Sequence, residues 1–158
     1  MDLRLILSVL LTLAPITELR IGMPLAILYS MDNNIPIIFT FLLIVIVNIV
    51  LVFLVFFFLD KIHHLFLGIG FYKRTFNRYL KSIQGKVDKF EKRHNQIGFY
   101  ALMLFVAVPL PGTGAWSGCV IAWILGLDRK KSIMAITAGI MISAILILLG
   151  TLGFFLIL

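Results

Sequence analysis

Apolar residues dominate this chain, and their arrangement predicts two long membrane-crossing helices. The runs Ile35–Leu59 and Ser132–Leu158 contain no charged residue. A helix needs about 20 apolar residues to cross a hydrocarbon core about 30 Å thick, and both runs are longer than that. Hydrophobic residues make up 61% of the 158 residues, and the mean hydropathy is +1.11. Since these values exceed those of soluble domains, the sequence predicts an all-α integral membrane protein.

Two further apolar segments, 3–31 and 97–127, are each interrupted by helix-breaking residues. The first interruption is Ala14–Pro24 and the second is Val108–Gly118. Proline removes a backbone donor, and glycine permits backbone conformations closed to other residues. Lipid offers no water to the freed backbone groups, so such breaks persist only where they are buried in protein or line a wet cavity. Each break is therefore a candidate functional site.

The order of elements repeats along the chain. Pro15 and Pro109 are 94 positions apart (109 − 15), and the same offset lays the run Ile35–Leu59 over Arg129–Gly153. Each repeat then consists of one broken apolar segment followed by one crossing helix. Paired interruptions at corresponding positions of two halves indicate a transporter-like binding site between them.

The broken segments are predicted to be re-entrant helical hairpins, which enter and leave the membrane on the same face. Leu3–Ala14 is about 18 Å long as a helix, too short to cross. The alternative for this segment is a cleaved signal peptide, although no typical cleavage site follows it. We expect a single membrane domain, with its segments in this order: hairpin 3–31, transmembrane helix 35–59, linker 60–96, hairpin 97–127 and transmembrane helix 132–158.

The positive charge of the chain is concentrated in the linker. Residues 60–93 contain nine Lys or Arg and three Asp or Glu, a net of +6 out of +7 for the chain. Between apolar runs such a cluster marks the cytoplasmic side and contact with anionic headgroups, and it argues against nucleic acid as a partner. Apolar residues recur at spacings of three and four from Phe76 to Phe90, which predicts an amphipathic helix at the membrane surface. A coiled coil is the alternative.

A second basic turn, Asp128–Lys131, supports the hairpin topology. If the segments 3–31 and 97–127 each crossed the membrane, this turn and the linker would face opposite sides. With two re-entrant hairpins both basic regions lie in the cytoplasm, as the positive-inside tendency requires, and both termini lie outside. One crossing per repeat also inverts the second repeat, so the hairpins enter from opposite faces and their broken tips can meet.

The first break contains two ionisable residues, Glu18 and Arg20. Ionisable groups at membrane depth are costly and usually functional. On the functional interpretation Glu18 couples transport to protons or cations, and Arg20 captures an anionic group. On the structural interpretation the two residues tie down freed backbone groups.

The second break is uncharged and offers backbone N–H groups, the Thr113 hydroxyl and the Trp116 ring. The start of a half-helix favours anions, whereas the alternatives are a turn for close packing and an indole that fills a gap. Trp123 is interpreted as an interfacial anchor. The predicted substrate or ion ligands are Thr17, Glu18, Arg20, Gly112, Thr113, Gly114 and Trp116. The predicted structural residues of the breaks are Pro15, Gly22, Pro24, Pro109, Pro111 and Gly118.

No catalytic or metal-binding set is recognisable. The sequence has no Ser/His/Asp or Cys/His arrangement and no phosphate-binding loop, so we expect no enzymatic activity and no cofactor. The adjacent His63 and His64 cannot both face one site on a helix, and His94 is distant, so no metal site is expected. Cys119 is the only cysteine, which excludes an intramolecular disulfide.

The runs Glu18–Pro24 and Pro109–Gly118 resemble the two signature motifs of the small multidrug export protein family. The resemblance covers nearly the whole chain. It implies a distant relation to the superfamily of DedA membrane proteins and VTT-domain (SNARE-associated) lipid scramblases, which share paired re-entrant hairpins. Members of that superfamily are associated with proton-motive-force phenotypes and with moving lipid phosphates. The second break lacks the arginines typical of DedA proteins.

The leading prediction is a prokaryotic plasma-membrane exporter or scramblase that moves an amphipathic or lipid-like molecule between the hairpin tips. The alternatives are a non-transporting scaffold that recruits a partner through the linker, and a small cation or proton channel. The expected partners are membrane lipids, a lipid-phosphate or other amphipathic substrate, and further copies of the chain. The surface that would face lipid or a second subunit contains Phe53, Phe56, Phe57 and Phe58.

Overall fold

The computed structural model describes residues 3–15, 17–66, 98–110 and 112–157, with the side chains of 62–66 and 155–157 left out. Within these residues the chain forms six helices, α1 (Leu3–Leu13), α2 (Glu18–Asp32), α3 (Ile37–Phe66), α4 (Gly98–Ala107), α5 (Ala115–Ile124) and α6 (Arg129–Ile157). The predicted linker helix lies outside the described residues from position 67 onwards, as does Pro111.

Two of the described helices, α3 and α6, are long and apolar enough to cross a membrane, over Ile37–Lys61 and Arg129–Phe154. Large apolar side chains along both point away from the protein, for example Phe57 at 59% and Leu149 at 62% exposure. A continuous apolar surface of this kind is unfavourable in water and favourable in lipid. The all-helical fold and its two long apolar helices agree with the predicted membrane protein.

The limits of these two helices differ slightly from the predicted runs. The α6 helix begins at Arg129 and not at Ser132, because the Asp128 carboxylate accepts a hydrogen bond from the Lys131 backbone N–H at 2.9 Å and caps the helix. The α3 helix continues past Leu59 to Phe66. The α3 helix therefore includes Asp60, whose carboxylate is paired with Arg129 at the start of α6.

The helices α1 and α2 pack against each other in antiparallel fashion. Arg4 at the start of α1 forms a 2.6 Å ion pair with Asp32 at the end of α2. Further along, the absence of a side chain at Gly22 lets α2 approach α1, since a Cβ there would lie 2.8 Å from the Ser8 carbonyl oxygen and closer still to the Thr12 hydroxyl. Because Gly22 fits against α1, it belongs to helix packing and not to the unwound tip.

The helices α4 and α5 form a similar pair. A Cβ at Gly118 of α5 would lie 2.7 Å from the Val106 side chain of α4. Gly98 at the start of the described part of α4 shares an apolar cleft with Leu125 and Leu127, which follow the end of α5. As with Gly22, the position of Gly118 inside a helix differs from its predicted place at the break.

Pro24 also lies inside a helix, the seventh residue of α2, although the sequence predicted it at the break. A proline in a membrane helix leaves one carbonyl without its usual partner, and neighbouring groups can compensate for that loss. The first break is accordingly shorter than predicted, since α1 ends at Leu13 and α2 begins at Glu18.

The core of the fold lies where the paired helices meet α3 and α6. The fully buried large side chains are contributed by α2, α3, α4 and α6, and they include Met23, Ile27, Ile44, Val52, Val106, Ile136 and Ile140. This core holds the two breaks in place, in the space between α3 and α6.

The packing of α4 against α6 gives a test of this arrangement. A Cβ at Gly139 would lie 2.7 Å from both the Met103 carbonyl oxygen and the Val106 Cβ, whereas a Cβ at Gly150 on the same helix would meet nothing within 4 Å. We expect Gly139→Ala to lower the free energy of unfolding by about 1–3 kcal/mol because the backbone of α4 must move. Gly150→Ala should leave it unchanged or slightly higher, since alanine favours helix. The stability of the two variants is compared by thermal unfolding in detergent. Equal stability would contradict the close packing of α4 against α6.

Candidate functional site

The two breaks meet in the centre of the protein, and the start of α5 is the point of contact. The first backbone N–H groups of a helix have no partner within that helix. Gly114 precedes α5 and provides no side chain to cap it. The partners come instead from the other break, nearly a hundred residues earlier in the sequence.

Glu18 supplies these partners. Its carboxylate accepts a hydrogen bond from the Ala115 N–H at 3.1 Å and another from the Trp116 N–H at 3.0 Å, one on each oxygen. Glu18 is only 4% exposed. The ionised carboxylate suits this position because it accepts at both oxygens and because the positive end of the α5 dipole favours negative charge.

The close contact depends on two unusual backbone conformations. Glu18 has a φ of +40°, in the left-handed region that non-glycine residues rarely adopt. Gly114 has a φ of +128°, and a Cβ at this position would lie 2.8 Å from the Glu18 Cδ. Strained residues of this kind are found at functional sites, where the surrounding structure holds them in place.

Arg20 forms the second contact between the breaks. One guanidinium nitrogen donates to the Thr113 carbonyl oxygen at 2.7 Å and to the Thr113 hydroxyl oxygen at 2.6 Å. The same hydroxyl lies 2.6 Å from the Val108 carbonyl oxygen and 2.8 Å from that of Leu110, so it also holds the second break together. Glu18 and Arg20 therefore bind different parts of the second break and form no ion pair with each other within 4 Å among the described residues.

Trp116 adds a third contact, in which the second break provides the side chain and the residue before the first break provides the backbone group. Its indole N–H donates to the Leu13 carbonyl oxygen at 3.1 Å, at the end of α1, where helix carbonyls lack partners. The Thr17 hydroxyl donates to the Leu11 carbonyl oxygen in the same turn. The structural interpretation of the tip residues expects bonds of this kind, which satisfy freed backbone groups. The bonds of Glu18 and Arg20 to the second break also bring these two charged groups to the same place.

The structure brings some of the predicted site residues together and places others apart. Glu18, Arg20, Thr113, Gly114 and Trp116 are brought together at the contact. Thr17 serves the end of α1, while Gly112, with a φ of +86°, is exposed and shapes the second turn, and Pro15 and Pro109 are exposed beside the breaks. Trp123, predicted as an interfacial anchor, donates from its indole nitrogen to the Asp60 carboxylate at 3.3 Å.

A small cavity of about 10 Å³ adjoins the contact, and it contains two polar residues that the sequence analysis missed. Its polar lining consists of Glu18, Arg20, Asn48 and Ser143. Asn48 is near the middle of the span Ile37–Lys61, and Ser143 is near the middle of Arg129–Phe154. A carboxamide in the centre of a charge-free apolar run was the available signal for Asn48.

Metal binding is not indicated by the described residues, which contain no group of three His, Cys, Asp or Glu side chains close enough to hold an ion. The side chains of His63, His64 and His94 lie outside the described part of the chain. The donor set at the contact is one carboxylate, one guanidinium and neutral polar groups.

The role of Thr113 can be tested by substitution. Thr113→Val keeps the shape of the side chain but removes the oxygen that binds Arg20, so we expect a loss of about 1.5–3 kcal/mol in the free energy of unfolding, typical for a hydrogen bond to a charged group. Thr113→Ser should retain most of the stability. Thr151→Val is the matched control, because among the described residues the Thr151 hydroxyl bonds only to the Ile147 carbonyl oxygen of its own helix. Chemical unfolding in detergent that gave the same stability for Thr113→Val and Thr113→Ser would contradict this role.

Comparison with known proteins identifies the family. No curated protein and no solved structure matches the chain. Residues 18–146 match the family model described as "Putative small multi-drug export protein", a segment that starts at Glu18 and contains both the contact and the cavity. The predicted relation to DedA and VTT-domain proteins is not tested by this match and stays a prediction. Because the matched segment covers well over half of the 158 residues, the chain belongs to the small multi-drug export protein family.

Proposed function

We propose that this protein exports an amphipathic or lipid-like molecule through a site between the two breaks, in exchange for protons. The observation that supports this most strongly is the carboxylate of Glu18 on the backbone N–H groups of α5. It is a buried ionisable group at membrane depth, it joins the two halves of the chain, and it can change charge. The chain belongs to a family described as export proteins, which agrees with a transport function in general terms.

We infer that each pair of short helices is a re-entrant hairpin. The helices α1 and α2 have 11 and 15 residues. At 1.5 Å per residue they are about 17 and 23 Å long, shorter than a hydrocarbon core of about 30 Å. The ion pair between Arg4 and Asp32 supports an entry and an exit on the same face.

The contacts of α3 support an inverted arrangement of the hairpins. The α1 and α2 pair has its open end beside Asp32, which leads into α3. The α4 and α5 pair has its open end near Leu127, which leads into α6, and Arg129 at the start of α6 pairs with Asp60 near the far end of α3. On this basis the hairpins enter from opposite faces, and their tips meet between them.

The basic residues give the proposed orientation. Arg129, Lys130 and Lys131 begin α6 at the same level as Asp60, the first residue of the predicted basic linker. Following the positive-inside tendency, we place this end in the cytoplasm of a prokaryotic cell and the Arg4 and Asp32 end, with both termini, outside. The linker then lies against anionic headgroups on the cytoplasmic surface.

Protonation of Glu18 is the proposed switch. The ionised carboxylate accepts from two N–H groups, whereas a proton removes its charge and turns one oxygen into a donor. The contact with α5 weakens, and the tips can separate to admit the substrate. Arg20, held by Thr113 when the tips are in contact, is then free to face an anionic group of the substrate, such as a lipid phosphate. The substrate is moved without chemical change.

The lipid-facing surface of α3 is the proposed region for contact with a second copy of the chain. Phe53, Phe57 and Phe58 are exposed there, whereas Phe56 is buried in the core, in contrast to the predicted surface of four phenylalanines. Two crossing helices make a small bundle, and a homodimer or larger homo-oligomer would cover part of this apolar area.

Reconstitution into liposomes tests the proposal. With ethidium as a lipophilic cation and a fluorescent phospholipid as a lipid probe, we expect the wild-type protein to move at least one of the two when a pH gradient is applied. Glu18→Gln should lower this rate at least tenfold, because the carboxamide cannot take up a proton. Asp32→Asn is the matched control, since Asp32 pairs with Arg4 at the outer end of α2, and it should keep the wild-type rate within about twofold.

Two results would contradict the proposal. One is an unchanged rate in the Glu18→Gln protein. The other is a flux that rises in proportion to the gradient without saturation, which would indicate a channel.

A further inference from the structure

The side chain of Asn48 is fully buried in the middle of α3, and both its Nδ2 and its Oδ1 lack a hydrogen-bond partner within the described residues. Because both atoms are unpartnered, this does not depend on which way the amide is turned. Buried carboxamides without partners are rare, and each one needs an explanation such as a bound water or a functional role.

The surroundings of Asn48 indicate what its partner is. The cavity of about 10 Å³ beside Asn48 is lined by the polar side chains of Glu18, Arg20 and Ser143. A volume of about 10–15 Å³ is the smallest that holds a water molecule, which also needs two to four polar partners. The size and the lining of the cavity therefore fit one water molecule.

Asn48 and Ser143 occupy corresponding places in the two long helices. They are 95 positions apart (143 − 48), within one residue of the offset that relates Pro15 to Pro109. Ser143 is 5% exposed, and like Asn48 it faces the cavity from the middle of its span. Each of the two long helices thus contributes one neutral polar group beside the carboxylate of Glu18.

We propose that Asn48 and Ser143, together with Glu18, bind one water molecule in this cavity, and that this water carries protons to and from the Glu18 carboxylate. The second part rests on the proposed function, in which Glu18 exchanges protons. Water can accept from the Asn48 amide N–H and donate to the Glu18 carboxylate and the Ser143 hydroxyl, so a single molecule provides the acceptor that Asn48 Nδ2 lacks.

The proton transfer balances within the site. The water gives one proton to a Glu18 carboxylate oxygen and takes one from the aqueous phase, so it is regenerated and Glu18 becomes neutral. The reverse transfer restores the carboxylate. No other reactant is needed, and Asn48 and Ser143 hold the water without being protonated themselves.

A metal cation is a poorer occupant of this cavity. Glu18 is the only carboxylate in its lining, and the Arg20 guanidinium brings a positive charge to the same lining. Apart from Arg20 on α2, the titratable group facing Glu18 from the described elements is the Cys119 thiol of α5, and α3 and α6 present Asn48 and Ser143. Neutral water, which both donates and accepts, suits these groups better than an ion does.

Infrared difference spectroscopy of the purified protein in H₂¹⁶O and H₂¹⁸O tests the water directly. We expect an isotope-sensitive O–H stretch of an internal water in the wild-type protein, lost in Asn48→Leu and in Ser143→Ala. Ser30→Ala is the control and should keep the band, because the Ser30 hydroxyl is equally buried but bonds to Thr40 away from the cavity. If the band is absent from the wild-type protein, or persists in both cavity variants, the water site is wrong.

Flux measurements in liposomes test the proton transfer separately. In Asn48→Leu we expect the pH-gradient-driven flux of the probe that the wild-type protein moves to fall at least tenfold, while exchange of that probe without a gradient stays within about twofold. Ser143→Ala should show the same pattern if Asn48→Leu does not fold. Loss of the water band without loss of gradient-driven flux would overturn the role in proton transfer. If the wild-type protein shows the water band but moves neither probe, the result contradicts the proposed transport function and still supports the water site.

Discussion

The fold depends on how the start of α5 obtains hydrogen-bond partners in a buried position, where water provides none. The Ala115 and Trp116 N–H groups are satisfied by the Glu18 carboxylate, from the opposite half of the chain. A buried backbone group without a partner costs several kcal/mol, so the second break is stable only when the first break is beside it. The contact is therefore a structural requirement, and its main component is a group that can gain a proton. This combination connects the architecture to the proposed transport.

The two breaks have different roles in this contact. The first provides the charges, through Glu18 and Arg20, and the second provides backbone groups, a hydroxyl and the small residue Gly114 that lets the carboxylate approach. Trp116 returns one bond to the end of α1. Neither break is complete without the other, and both adjoin a cavity lined by Asn48 and Ser143 from the two long helices. Any movement that separates the tips must exchange these bonds for bonds to water or to substrate.

The sequence predicted the long helices and the positions of the breaks because both depend on local properties. Runs without charge identify crossing helices, and Pro15 and Pro109 stop helices wherever they occur. Pro24 was placed wrongly, since a proline inside a membrane helix is tolerated when neighbouring groups serve the freed carbonyl, and those neighbours are known only from the fold. Asn48 was missed because its importance depends on the rotation of α3 about its axis, which a run apolar on all sides does not reveal. The partners of Glu18 and Arg20 are nearly a hundred residues away in the sequence, so the local sequence pattern did not identify them.

The most direct test of the account is a cross-link between the two breaks in native membranes. In a Cys119→Ser background, Arg20→Cys and Thr113→Cys are bridged by a bifunctional thiol reagent about as long as an arginine side chain, and the chain is then cut at a protease site introduced between residues 67 and 97. If the two breaks are in contact, the halves stay joined on a denaturing gel until the bridge is reduced. The control pair Arg4→Cys and Thr113→Cys should separate, because Arg4 lies at the far end of α1 from the break. Separation of the halves in the Arg20 and Thr113 pair would contradict the contact on which the proposed site rests.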